Sequence, residues 1–155
     1  MANSVIRIQQ QDFDVAEEYA RLSQGGNTGA VVTFVGRVRT EDNGRDIASL
    51  TLEHYPGMTE KTLQAVADQA HSRWSLSRIS IIHRVGKLNA GEQIVFIGVS
   101  SAHRAAAFAA CEFLIDILKT NAMLWKKQTD TAGISQWLEQ KNSDAERGAK
   151  WKAGS

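Results

Sequence analysis

A single cysteine, Cys111, leaves no partner for an internal disulfide, which fits a reducing compartment. No apolar run approaches the roughly 20 residues that a membrane-spanning helix needs. The opening stretch MANSVIRIQQ lacks the basic segment and apolar core of a secretion signal. A cytoplasmic protein without a membrane partner is therefore expected. Charge of one sign is also missing, since eighteen Lys and Arg face seventeen Asp and Glu. That balance argues against a cationic nucleic-acid binder. Metal-ligand spacing is absent too: His54, His71, His83, His103 and Cys111 form no cluster of the kind zinc sites use. There is no GxSxG, no P-loop and no glycine-rich dinucleotide fingerprint. Neither a metal nor a resident cofactor is expected.

What is present suits one globular domain. The chain has 155 residues, 43% hydrophobic and 23% charged, enough to bury a core. No repeat, low-complexity block or linker divides it, so residues 1–155 read as one domain with a polar tail over 140–155. Residues 5–8 read as a short strand, and Asp14 with Glu17 opens a helix reaching about Leu22. The β-branched run 29–39 reads as a strand, 40–46 as a polar loop and 47–55 as a second strand. Pro56-Gly57 turns the chain and Thr59 is expected to cap a helix whose apolar stripe includes Leu63, Val66, Ala67, Ala70 and Trp74. Two strands, 78–85 and 93–100, flank a turn at 89–91, and a second long helix spans about 102–119. Its stripe holds Ala107, Cys111, Leu114, Ile115 and Leu118, which marks the thiol as core and not nucleophile. Residues 123–127 read as extended or irregular. This order predicts an α+β domain with a mainly antiparallel sheet and two long helices.

Three places could carry chemistry. At Ser100-Ser101-Ala102-His103-Arg104 a strand becomes a helix, with Ser101 placed to cap it. Free N–H groups and the positive dipole end favour a negative charge there, yet the sequence supplies His103 and Arg104. The mismatch is a few tenths of a kcal/mol, and a bound phosphate would reverse it. A solvated arginine with a histidine packed on the sheet satisfies the spacing equally well. Arg37-Val38-Arg39 puts two guanidiniums on one strand face, suited to a planar oxyanion or to guarding a sheet edge. Lys119 with Lys126 and Lys127 is the third place. A partly desolvated lysine among other cations would have a lowered pKa and could act as base or nucleophile. Lys119 at a helix end is also favourable for the helix alone, and Trp125 could wall a pocket or sit in the core.

The segments TLEHYPGMTEK (51–61), HRVGKLNAGE (83–92), IGVSSAHR (97–104) and LKT followed by WKK (118–127) together resemble the large, catalytic subunit of molybdopterin synthase. The resemblance runs over about 13–127. It implies a hammerhead-like α+β fold and a sulfurtransferase of molybdenum cofactor biosynthesis. The implied reaction converts cyclic pyranopterin monophosphate to molybdopterin. Sulfur would arrive as a thiocarboxylate on the C-terminal Gly-Gly of a small ubiquitin-like carrier subunit. The implied assembly is a homodimer of catalytic subunits within a heterotetramer. By position, Lys119 and Lys126 match catalytic lysines. Phe34, Arg37, Val38, Arg39, His103, Arg104, Lys127 and Gln128 match substrate-contact positions. The family pattern has a proline near 123 and an acid at 128, where this chain has Met123 and Gln128.

Arg104 and Lys119 are about 22 Å apart along an unbroken helix, too far for one small ligand. A site shared between two subunits is expected, Lys119 from one facing His103 and Arg104 from the other. Two other classes fit the same cations. A non-catalytic phosphate-ligand module predicts weaker binding in Lys119→Ala and no reaction to lose. A scaffold that pairs with a glycine-rich tail by strand addition predicts partner binding that ignores Lys119.

Overall fold

The computed structural model describes residues 3–121, 124–138 and 142–152. Met123 lies outside them, as do the first residues of the expected polar tail. The first sheet runs β1 (Ser4–Gln9), β5 (Arg78–Arg84), β7 (Gln93–Ser101) and β2 (Ala30–Arg37) in that spatial order. β1 pairs with β5 in parallel, and the β5–β7 and β2–β7 pairs are antiparallel. The second sheet is wholly antiparallel. Its central strand β4 (Arg45–His54) pairs with β3 (Glu41–Asp42), β6 (Gly86–Asn89) and β8 (Leu124–Asp130), and β8 pairs with β9 (Ser135–Trp137).

The expected α+β class holds, with two sheets where one was expected. The segment joining β5 to β7 is the reason. It does not close as a plain hairpin but leaves the first sheet to add β6 to β4, then returns through Gly91 at φ +88°. That φ suits glycine, which has no Cβ to clash. The loop expected at 40–46 contains β3 and a turn at Asn43-Gly44, both at positive φ.

Four helices are described: α1 (Val15–Leu22), α2 (Met58–Arg73), α3 (Arg104–Asn121) and α4 (Asn142–Ala149). Asp14 caps α1, its carboxylate accepting from the Ala16 and Glu17 N–H groups. The cap of α2 is Gly57, not Thr59. Glu60 accepts from the Gly57 N–H, while Thr59 is fully buried and hydrogen-bonds back to the Tyr55 carbonyl. Ser101 does not open α3 as a cap, because it is the last residue of β7 and its hydroxyl donates to the Ser75 carbonyl.

The central strands β5 and β7 are covered on both faces. Ile79, Ile81, Val95, Ile97 and Val99 meet α2 and α3, whereas Ile82 and Phe96 meet Phe13 and Leu22 on the α1 side. Gly98 faces Leu22 so closely that an added Cβ would overlap it. A second cluster of Val38, Ile47, Leu50, Leu52 and Leu88 fills the space under the second sheet. The C-terminal segment continues past β9 into α4, which packs on α3, with Trp151 seated against Trp74 and Phe113.

Candidate active site

Between the two sheets, at the C-terminal end of α3, lies a cleft of about 870 Å³. Three structural accidents build it. β2 carries a bulge between Gly36 and Arg37, and the chain beyond it turns Arg37, Val38 and Arg39 along the cleft edge. β8 alternates, so Leu124, Lys126 and Gln128 face inward together. α3 ends there, presenting Lys119 and Thr120. Ile47, Leu50 and Ile94 supply an apolar floor continuous with the second core cluster.

Four cations, Arg37, Arg39, Lys119 and Lys126, thus share one cavity with two carboxylates, Asp42 and Asp144. Arg37 donates to the Gly91 carbonyl through Nε at 3.3 Å and Nη2 at 2.9 Å. Arg39 pairs with Asp42 at 3.1 Å. Both guanidiniums are therefore oriented by the chain before any ligand arrives, which lowers the entropy lost on binding. Behind the cleft sits His83, 2% exposed. Its Nδ1 is 2.8 Å from the Arg84 carbonyl, which can only accept, so Nδ1 holds the proton. Burial pushes its pKa down to about 4, with Lys126, Lys119 and His54 adding to the same effect. The neutral imidazole adds no further charge to the cationic cleft.

The sequence candidates divide clearly. Arg37, Val38, Arg39, Lys119, Lys126 and Gln128 line this cleft. His103 and Arg104 do not; they are exposed at the other end of α3, where the His103 N–H donates to Ser101 Oγ at 3.4 Å. Lys127 alternates to the outer face of β8, its Nζ 5.8 Å from the Trp137 ring centroid. Trp125 is on that face as well, exposed beside Tyr55 and neither a cleft wall nor core. Phe34 packs against the main core and is not among the cleft-lining residues. Lys119 is exposed, so this chain's own fold does not desolvate it.

Asp42, Asn43, Thr120, Gln136, Leu138 and Asp144 line the cleft without having been singled out in the sequence. For Gln128 the period-two alternation of a strand at 124–130 separates it and Lys126 from Lys127. Asp144 carried no comparable signal, because α4 reaches the cleft only through long-range packing on α3.

Cys111 is 5% exposed and burial pushes its thiol up to about 12, so almost no thiolate exists near neutral pH. A buried, protonated thiol is poorly suited to accept or pass on sulfur. Among the described residues no group of three or more His, Cys, Asp or Glu could hold a metal, and no helix is long and apolar enough to cross a membrane.

The profile of the family described as MoaE protein matches residues 8–121. The molybdopterin synthase catalytic subunit of Vibrio cholerae is 52% identical over 146 residues, covering 94% of this chain and 97% of that protein. The solved molybdopterin biosynthesis MoaE protein of Burkholderia ambifaria superposes with a TM-score of 0.81 at 43% identity, covering 97% and 98% of the two chains. A chain from the Helicobacter pylori protein–protein complex of subunits 1 and 2 of molybdopterin-converting factor shares the fold, with TM-score 0.71 and 24% identity over 88% and 90%.

Proposed function

This chain belongs to the MoaE family of molybdopterin synthase catalytic subunits, and from that premise we propose how its cleft performs the family's sulfur transfer in molybdenum cofactor biosynthesis. The substrate in this reading is cyclic pyranopterin monophosphate, a flat heterocycle carrying a phosphate. The apolar floor of Ile47, Leu50 and Ile94 takes the ring, and Arg37 and Arg39 face the anion with planar, preoriented donors. Lys119 and Lys126 flank the reacting side chain. They stabilise the oxyanion that develops during addition and elimination, and Lys119 serves as acid and base or as a transient covalent partner.

Sulfur must come from outside the chain, because Cys111 is buried and protonated. A small ubiquitin-like subunit ending in a Gly-Gly thiocarboxylate meets that requirement, since two residues without bulky side chains can lie extended beside the cleft's cations. The Helicobacter pylori neighbour is itself part of a complex between subunits 1 and 2 of molybdopterin-converting factor. His103 and Arg104 enter the same reading through a second copy of the chain. In a homodimer each cleft would receive the His103–Arg104 turn of the partner, and two carriers would complete a heterotetramer.

The observation that carries this reading is the convergence of Arg37, Arg39, Lys119 and Lys126 on one cleft from the end of β2 and the chain just beyond it, α3 and β8. Incubating the protein with thiocarboxylated carrier and precursor tests it. Dithiolene product is expected from the wild type and should fall at least about a hundredfold in Lys119→Ala. Full activity in that variant would refute the role given to Lys119.

A further inference from the structure

α4 makes its buried contacts with one end of α3. Asp116, 4% exposed, accepts from Arg147 Nε at 3.0 Å and from Trp151 Nε1 at 2.9 Å. Glu112, one turn earlier, accepts from Arg147 Nη2 at 2.6 Å and Lys150 Nζ at 3.0 Å. One turn later, Gly148 lies against Thr120, where an added Cβ would stand 2.8 Å from Cγ2 and 3.0 Å from Oγ1. The Trp151 ring sits edge-on to Phe113 at 5.4 Å and Trp74 at 5.8 Å, and its carbonyl accepts from Arg73 at 2.7 Å.

These contacts fall on residues 112, 116 and 120, the turns that deliver Lys119 and Thr120 to the cleft. The far end of α3, with His103 and Arg104, receives none of them. α4 in turn contributes Asp144 to the same cleft. A buried carboxylate is costly unless its donors stay in place, so Asp116 ties the position of α4 to the last turns of α3.

We propose that α4 is a positioning element of the cleft, latched to α3 through Asp116 and Trp151 so that Lys119 and Asp144 are held together at its edge. The proposal rests on the reading that Lys119 acts there. The latch sets the direction of the Lys119 side chain, and releasing α4 both frees that lysine and withdraws a carboxylate from a cationic cavity.

Three full-length variants test this. Gly148→Val wedges α4 off Thr120. Arg147→Glu turns the pairs with Glu112 and Asp116 into repulsion. Amide exchange over the central strands β5 and β7, expected to stay as slow as in the wild type, shows that the rest of the fold holds. Trp151→Phe keeps the ring packing and loses one hydrogen bond. Amide exchange over 142–152 reports release of α4. Acylation of Lys119 relative to exposed Lys87 reports its freedom without any turnover. The first two variants should speed exchange, raise the Lys119 to Lys87 labelling ratio about threefold and lower kcat about tenfold. KM should hold within about twofold, since the arginines are untouched. Trp151→Phe, which removes only one of the bonds to Asp116, should move each readout in the same direction by less. Faster exchange with an unchanged labelling ratio and unchanged kcat would overturn the latch. If Lys119→Ala keeps full activity, the reading of Lys119 fails, yet the labelling ratio still decides whether α4 positions it.

Discussion

Arg104 and Lys119 stand at opposite ends of α3, about 22 Å apart along a continuous helix. Lys119 lies in the cleft and Arg104 does not. If both serve one ligand, the ligand must be shared by two copies of the chain. Mixing Arg104→Ala with Lys119→Ala homodimers under proven exchange then yields hybrids in half the dimers, each with one intact site of two. Activity of about one quarter of wild type is expected in a two-fold symmetric assembly. No recovery, with hybrids demonstrated by mass spectrometry, would remove the shared site.

Adjacent lysines should behave differently. Lys126 lines the cleft, whereas Lys127 points to the outer face of β8 towards Trp137. Lys126→Ala is expected to lose at least about tenfold more of kcat/KM than Lys127→Ala. Equal losses would mean that β8 adopts another register in the working assembly.

The sequence exposed this arrangement unevenly, for physical reasons. The paired core strands and the two long helices carry their own periodicity, as in the run from Ile79 to Ile82 or the Leu63, Val66, Ala67, Ala70 stripe. β3, β6 and β9 have two, four and three residues, and are defined by distant partners such as Leu50 opposite Leu88. No local pattern announces such a pairing. The Thr59 expectation failed because the hydroxyl that resembles a cap instead closes a loop onto Tyr55. The basic places were readable as residue types, but their grouping came from the family resemblance. Periodicity places Lys119 on α3; only the tertiary packing brings Arg37, Arg39, Lys126 and Asp144 to it.

Cys111 is buried on the inner face of α3, its Sγ 3.9 Å from the Ile97 carbonyl. A sulfurtransferase that used this thiol would die with it. Cys111→Ala should instead keep sulfur transfer within about twofold of wild type, at a stability cost on the order of 1 kcal/mol for the small cavity. Alkylating reagents should label it only after unfolding. Loss of transfer in a folded Cys111→Ala protein would contradict an external sulfur source.

His83 gives the fold a pH dependence of definite sign. Its native pKa is about 4 against an ordinary 6.5, because burial opposes the charged ring. Above 6.5 neither the folded nor the unfolded state is protonated, and stability is full. Between 6.5 and 4 only the unfolded state takes up the proton, so stability falls as pH falls through that window. The loss over this span amounts to about 3 kcal/mol. His71, also lowered by burial, acts in the same direction. His83→Asn can keep a donor near the Arg84 carbonyl and cannot titrate. Its urea midpoint should be lower at pH 7, because the smaller side chain leaves a void, but flatter between pH 7 and 4.5 than that of the wild type. Parallel curves for the two proteins would show that protonation of His83 is not what acid exploits.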